Sequence, residues 1–124
     1  MKNHFMCILI SCLLYSGIYA QQTQPEQATP FKNVITAFKT DSVALFINAF
    51  SKGLDSIKVP LAQWKTRLQE GKRKFKRRFG AYNMDDFSFK FINTTTQLQV
   101  FFKDQESFKI RVQKEGNEWK LNQH

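Results

Sequence analysis

The side chains that could carry out a reaction are few and scattered. The chain has two histidines, at positions 4 and 124, and two cysteines, at 7 and 12. His4, Cys7 and Cys12 fall in an N-terminal stretch patterned as an export signal, so the exported remainder keeps only His124 and no thiol. A Ser-His-Asp or Cys-His relay cannot be assembled from that inventory, and a His/Cys metal site lacks its ligands. Asp85 and Asp86 form the only adjacent pair of acids. At the start of a strand they would point to opposite faces, so they cannot share a substrate as glycosidase or aspartic-protease acids do. A single base, Asp85, assisted by Tyr82 would suit proton abstraction beside a carbonyl if the fold enclosed both. The glycines at 53, 71, 80 and 116 are isolated, so no phosphate-cradling loop is present. The sequence implies neither a metal nor a cofactor.

Charge is the stronger signal. Residues 59–79 carry eight basic side chains against the single acid Glu70, whereas the stretches on either side are near neutral. Lys72, Arg73, Lys74, Lys76, Arg77 and Arg78 crowd into seven positions. Their i, i+4 pairs (Lys72/Lys76, Arg73/Arg77, Lys74/Arg78) each cost about 0.2–0.5 kcal/mol when exposed. The functional reading is an anionic partner: a lipid headgroup, lipopolysaccharide, nucleic acid or an acidic protein. The plainer reading is a solvated helix face, which we prefer on this information alone. Nucleic acid fits less well, because single-strand binders set exposed aromatic rings beside the charge and only Phe101 lies on a polar strand face. Phe101 equally suits a homodimer contact through the outer sheet face.

These residues sit within elements that the hydrophobic rhythm defines. Met1 to Ala20 has an early Lys2, an apolar stretch and a small-residue ending, the pattern of a secretory signal cleaved after Ala20. The predicted location is therefore periplasmic or secreted. An alternative takes Leu9-Ile10-Ser11-Cys12 as a lipoprotein box that leaves Cys12 lipidated. The remaining residues suffice for one domain, stabilised by packing rather than disulfides. Of the thirteen Phe, all but Phe5 follow the signal.

Residues 21–29 read as a flexible leader. Thr29 and Pro30 then suit the start of a helix with Phe31, Val34, Ile35 and Phe38 at i, i+3, i+4 and i+7. A second helix is predicted from Thr40 or Asp41, burying Leu45, Phe46, Ala49 and Phe50 and stopping at Gly53. Leu54 to Val59 suits a short edge strand or a loop. Leu61 to Phe79 reads as a long helix with one apolar stripe of Leu61, Trp64, Leu68, Gly71, Phe75 and Phe79. Gly71 on that stripe suggests close approach of a neighbouring element or, as the second choice, a kink. Beyond Gly80 the period changes to two, giving four strands whose apolar faces carry Phe87, Phe89 and Phe91, then Leu98, Val100 and Phe102, then Phe108, Ile110 and Val112, then Trp119 and Leu121. The prediction is an α+β domain over residues 30–124, with helices packed on one face of a curved, cone-like, four-stranded antiparallel meander. Asn93-Thr94-Thr95 matches a glycosylation acceptor in a predicted turn.

Val34 to Asp41 with Leu45 and Phe50, and the final hairpin Phe108 to Val112 with Lys114 to Leu121, carry a resemblance. The chain resembles the nuclear-transport-factor-2-like (cystatin-like) α+β cone, in particular its small exported bacterial members, over roughly residues 30 to 123. That resemblance implies a sheet curled around helices, with a mouth that holds a small apolar ligand or nothing. Ketosteroid isomerases and SnoaL-like cyclases of this class place an Asp or His and a Tyr in the cone. Trp64, Tyr82 and Asp85 are the ligand-pocket candidates here, and no catalytic residue is assigned. The expected function is a non-catalytic binding or interaction domain. The alternatives are a cone-pocket isomerase or cyclase and an anionic-surface binder using Lys72–Arg78.

Overall fold

A computed structural model describes residues 24–52 and 59–122. The predicted export signal, the stretch from Gly53 to Lys58 and His124 lie outside the described residues.

Helix α1 spans Thr29–Thr40, with its apolar positions Phe31, Val34, Ile35, Ala37 and Phe38 all buried. Winding starts earlier than Pro30: a 3-10 turn, Glu26–Ala28, leads into the helix. Ala28 is completely buried, and this turn touches both β1 and β4, the two edges of the sheet described below. Part of the stretch read as a leader is thus built into the domain. Asp41 ends α1 in the left-handed conformation (φ 55°) and gives its N–H to the Ala37 carbonyl.

That conformation is why the second helix, α2, begins at Val43 rather than at Thr40 or Asp41. It spans Val43–Asn48, capped by the Ser42 hydroxyl, which accepts the Leu45 N–H at 3.3 Å. Phe50, expected on this helix, lies beyond it and pairs in parallel with Leu121. The Ser51 N–H reaches the Leu121 carbonyl and the Leu121 N–H reaches the Ala49 carbonyl, both at 2.8 Å. Residues 49–51 therefore cover the outer edge of the last strand, where unpaired backbone would invite association. Helix α3 spans Leu61–Phe79, as its periodicity predicts. Trp64 and Leu68 are buried and Phe75 and Phe79 pack against the core, but Leu61 at the start of the stripe is 55% exposed.

The sheet is a four-stranded antiparallel meander, β1 (Phe87–Ile92), β2 (Gln97–Phe102), β3 (Gln105–Glu115) and β4 (Glu118–Leu121), in that spatial order. Lys103 and Asp104, both with positive φ (49° and 67°), make the two-residue turn between β2 and β3. The long strand β3 pairs with β2 through its first half and with β4 through its last four residues, and the β2–β3 register shifts at Val100/Phe101. Bulges of this kind bend a strand and increase its twist. The resulting curvature brings Phe91 of β1 and Trp119 of β4, from opposite edges, to 5.5 Å between ring centres. The architecture is α+β with a curved sheet, as the sequence predicts.

Phenylalanine rings join the two layers. Phe31 of α1 meets Phe89 at 5.4 Å, Phe87 and Phe108 at 5.7 Å and Phe75 at 5.9 Å, so one ring ties α1 to β1, β3 and α3. Its contacts with Phe87 and Phe89 are edge-to-face, which sets the positive ring rim against the negative ring face.

At Gly71, α3 closely approaches the Phe38 ring of α1. A Cβ at this position would stand 2.9 Å from the Phe38 Cζ, and Phe38 is held between Phe46 and Phe75. Gly71→Ala would gain about 1 kcal/mol of helix propensity but incur about 1–3 kcal/mol of overpacking. We expect the variant to be about 1 kcal/mol less stable in urea unfolding. In a Phe38→Leu background the same change should instead stabilise the protein, because the obstructing ring is gone.

Candidate functional site

The cations of α3 divide into two groups. Some are engaged by their neighbours. The Lys72 ammonium lies 2.8 Å from Asp41 Oδ1, and Gln69 donates to the same oxygen at 3.4 Å. Arg78 donates to the Ser107 carbonyl at 2.9 Å, and its guanidinium lies 5.5 Å from the Phe79 ring and 5.2 Å from the Phe108 ring. Arg67 lies 5.2 Å from the Trp64 ring. These cations lie over the faces of the aromatic rings, where ring quadrupole and apolar stem both favour them.

The others project without engagement. Lys65 near the start of the helix, and Arg73, Lys74, Lys76 and Arg77 toward its end, are exposed and form no ion pair or hydrogen bond with another described residue through their side chains. Lys76, Arg77 and Arg78 occupy the last turn, where the partial negative charge of the helix end offsets some of their repulsion. Arg73 and Lys74 lie further from that end. On a wheel of 100° per residue, Arg73 and Arg77 lie diametrically opposite the apolar stripe and Lys74 and Lys76 flank them. The outer face of α3 is thus a cationic strip without a partner among the described residues.

One shoulder of the strip is concave. Lys39, Lys72, Lys76 and Tyr82 border a cleft of about 300 Å³ between α1 and α3. The Lys39 ammonium donates to the Tyr82 carbonyl and sits 4.7 Å from the Tyr82 ring. Burial pushes the Tyr82 hydroxyl pKa above its usual value, so it stays protonated throughout the physiological range.

The residues predicted to line a cone pocket do not converge. Trp64 is buried between Phe46 at 6.0 Å and Phe50 at 5.9 Å. Tyr82 packs against other rings of the same core, Phe75 and Phe87, both at 5.9 Å. Asp85 is exposed in a 3-10 turn, Met84–Asp86, outside that core. Asp85 and Asp86 are therefore turn residues rather than the strand neighbours predicted. Asp86 accepts the Asn83 N–H at 2.8 Å, closing a capping box. Phe101 is half-buried on the outer sheet face, paired with Ser88 and Glu106, and Asn93 is exposed in the β1–β2 turn.

A scan of protein-family models finds no match to this chain, and searches of curated proteins and of solved structures find none either. Function must therefore be argued from the residues themselves.

Two concavities escape sequence reasoning. An open hollow of about 1010 Å³ lies beside α2, walled by Ala44, Leu45, Ile47 and Phe50 with Ser42, Asn48 and Lys52. Its signal is the unbroken run Val43-Ala44-Leu45-Phe46-Ile47, which is apolar all round a short helix, so one face must remain outside the core. A smaller polar recess adjoins Trp119 and Lys120. Nothing in the strand alternation marks it, because Lys120 reads as a solvent-facing residue. It is 6% exposed because residues 48–51 cover that side of β4.

The Lys72 hydrogen bond, then that of Gln69, lowers the Asp41 carboxyl below its ordinary 3.8. A depressed acid stabilises the fold above its unfolded pKa and loses that contribution as pH falls through the folded value. Asn at position 41 tolerates the left-handed backbone and removes the charge. The stability difference between wild type and Asp41→Asn should be constant above about pH 5 and shift against wild type on acidification. Urea unfolding from pH 7 to pH 3 measures this, and salt should shrink the effect because the pair is exposed.

Proposed function

We propose that the protein is an exported, non-catalytic binding domain of nuclear-transport-factor-2-like shape that docks on an anionic surface through the outer face of α3. The observation that carries this reading is the group Arg73, Lys74, Lys76 and Arg77, exposed together and without partners among the described residues. The apolar stripe of the same helix is largely committed to the core through Trp64, Leu68, Phe75 and Phe79, so docking is electrostatic and needs no insertion of rings into a bilayer. Support for the cone-like kinship comes from the order of the elements, helices followed by a curved antiparallel meander. Support for export comes from the pattern of Met1 to Ala20. The enzyme alternative has less behind it, because Phe31 and its neighbouring rings fill the space between helices and sheet and Asp85 lies outside.

The test reverses Arg73, Lys74, Lys76 and Arg77 to Glu and leaves Arg78 intact, since Arg78 also holds Ser107 and two rings. Each surface cation contributes about 1 kcal/mol toward an anionic membrane, roughly fivefold in partitioning. Retention on phosphatidylglycerol vesicles or heparin should fall steeply with salt in the wild type and be lost in the variant. Reversal makes the 72/76 and 74/78 pairs attractive but leaves 73/77 like-charged and sets acids against the negative helix end, so thermal stability should shift little. Retention unchanged by the four reversals would contradict the proposal.

A further inference from the structure

The polar recess takes no residue from α3, so it is independent of the cationic strip. It has a volume of about 190 Å³ and is bounded by the start of α1 and the turn before it, the end of α2, and the β3–β4 hairpin. It adjoins Lys120, a residue type that is rarely buried unless its charge is compensated.

The compensation determines what the recess can bind. The Lys120 ammonium donates to the Asn48 backbone carbonyl and to Asn48 Oδ1 at 3.0 Å, and lies 2.9 Å from Glu118 Oε2. An ammonium has three protons, so all three are spent and no free cation remains for an anionic ligand. The hydrogen bond to Lys120 lowers the Glu118 carboxyl below its usual range, so Glu118 stays ionised as the counter-charge. Because an ammonium can only donate, the oxygen of the Asn48 amide must face it, which leaves both N–H groups of that amide for the recess.

The remaining wall is unspent. The Asn33 and Asn117 amides and the Thr29 hydroxyl line the recess and take no hydrogen bond from another described residue. Capping α2 requires Lys120 and Asn48 but none of these three. Trp119 gives its indole N–H to Glu26 Oε1 at 3.4 Å and rests against Phe91, so its ring is fixed in the wall. The recess thus offers paired donors and acceptors from amides, a hydroxyl, two carboxylates and one rigid aromatic ring. An apolar ligand would strand those polar groups, and an anion would meet Glu26 and Glu118 with no free cation to balance them. The volume is close to that of a single pyranose ring.

We propose that this recess is a binding site for one neutral sugar residue, held by the amides of Asn33, Asn48 and Asn117 against Trp119. Small pockets of this kind bind weakly, with Kd on the order of 1 mM. Proton–nitrogen correlation spectra of the whole domain, titrated with glucose and with N-acetylglucosamine, test it directly. The Asn33, Asn48 and Asn117 side-chain amides and the Trp119 indole should shift together and saturate, while the buried Trp64 indole stays still. Asn117→Ala, in an exposed turn, should weaken the response at least fivefold with unchanged thermal unfolding, and Asn33→Ala should do the same if its fold is intact by its spectrum. Absence of saturable shifts with either sugar, shifts with choline or inorganic phosphate in place of sugar, or a sugar response unaltered in Asn117→Ala would each overturn the proposal. Loss of α3 docking in the charge-reversed protein would leave the sugar response intact, so the two proposals fail separately.

Discussion

Everything in the domain depends on one ring finding its place. Phe31 sits at the centre of the contact between α1, α3 and the sheet, and the edge-to-face arrangement with Phe87 and Phe89 leaves little freedom in how α1 lies. Buried aromatic rings remove on the order of 150–250 Å² each from water, which is how a domain with no cysteine among its described residues can hold together. The same packing turns α3 so that Trp64, Leu68, Phe75 and Phe79 face inward. Its cations are then left on the outside by geometry. The core thus sets both the stability of the fold and the direction of its charge.

That division explains why the cationic residues are not equivalent. Arg78 and Arg67 lay apolar stems and planar heads over ring faces, and Lys72 pairs with Asp41, so these three belong to the fold as much as to the surface. Arg73, Lys74, Lys76 and Arg77 do none of this. A sequence count treats all of them alike, because charge density alone does not show which side chains have neighbours.

Long, strongly periodic elements were legible before the structure. The bounds of α3, the apolar faces of the four strands and the close approach at Gly71 all follow from spacing, since a period of 3.6 or 2 specifies a face over many residues. Short elements were less so. The start of α2 shifted because Asp41 adopts a left-handed conformation that its composition permits but does not demand, and Ala28 became core only because both sheet edges close over it. Asp85, Tyr82 and Trp64 were grouped from a resemblance to cone-pocket proteins, and the packing places them apart. The recess beside Lys120 was invisible for a related reason. Its burial comes from residues 48–51, more than sixty positions away in the chain, and alternation within a strand carries no information about what lies across it.

Amide hydrogen exchange tests most directly whether helices and sheet share one core through the Phe31 cluster. Amides of α3 from Trp64 to Phe75 should be protected with the same free energy as those of β1 and β2, because opening either layer must separate the same rings. If α3 exchanged through a low-energy local opening while the sheet stayed protected, the helix would not be held by those rings. The orientation of its charged face would then have no structural basis.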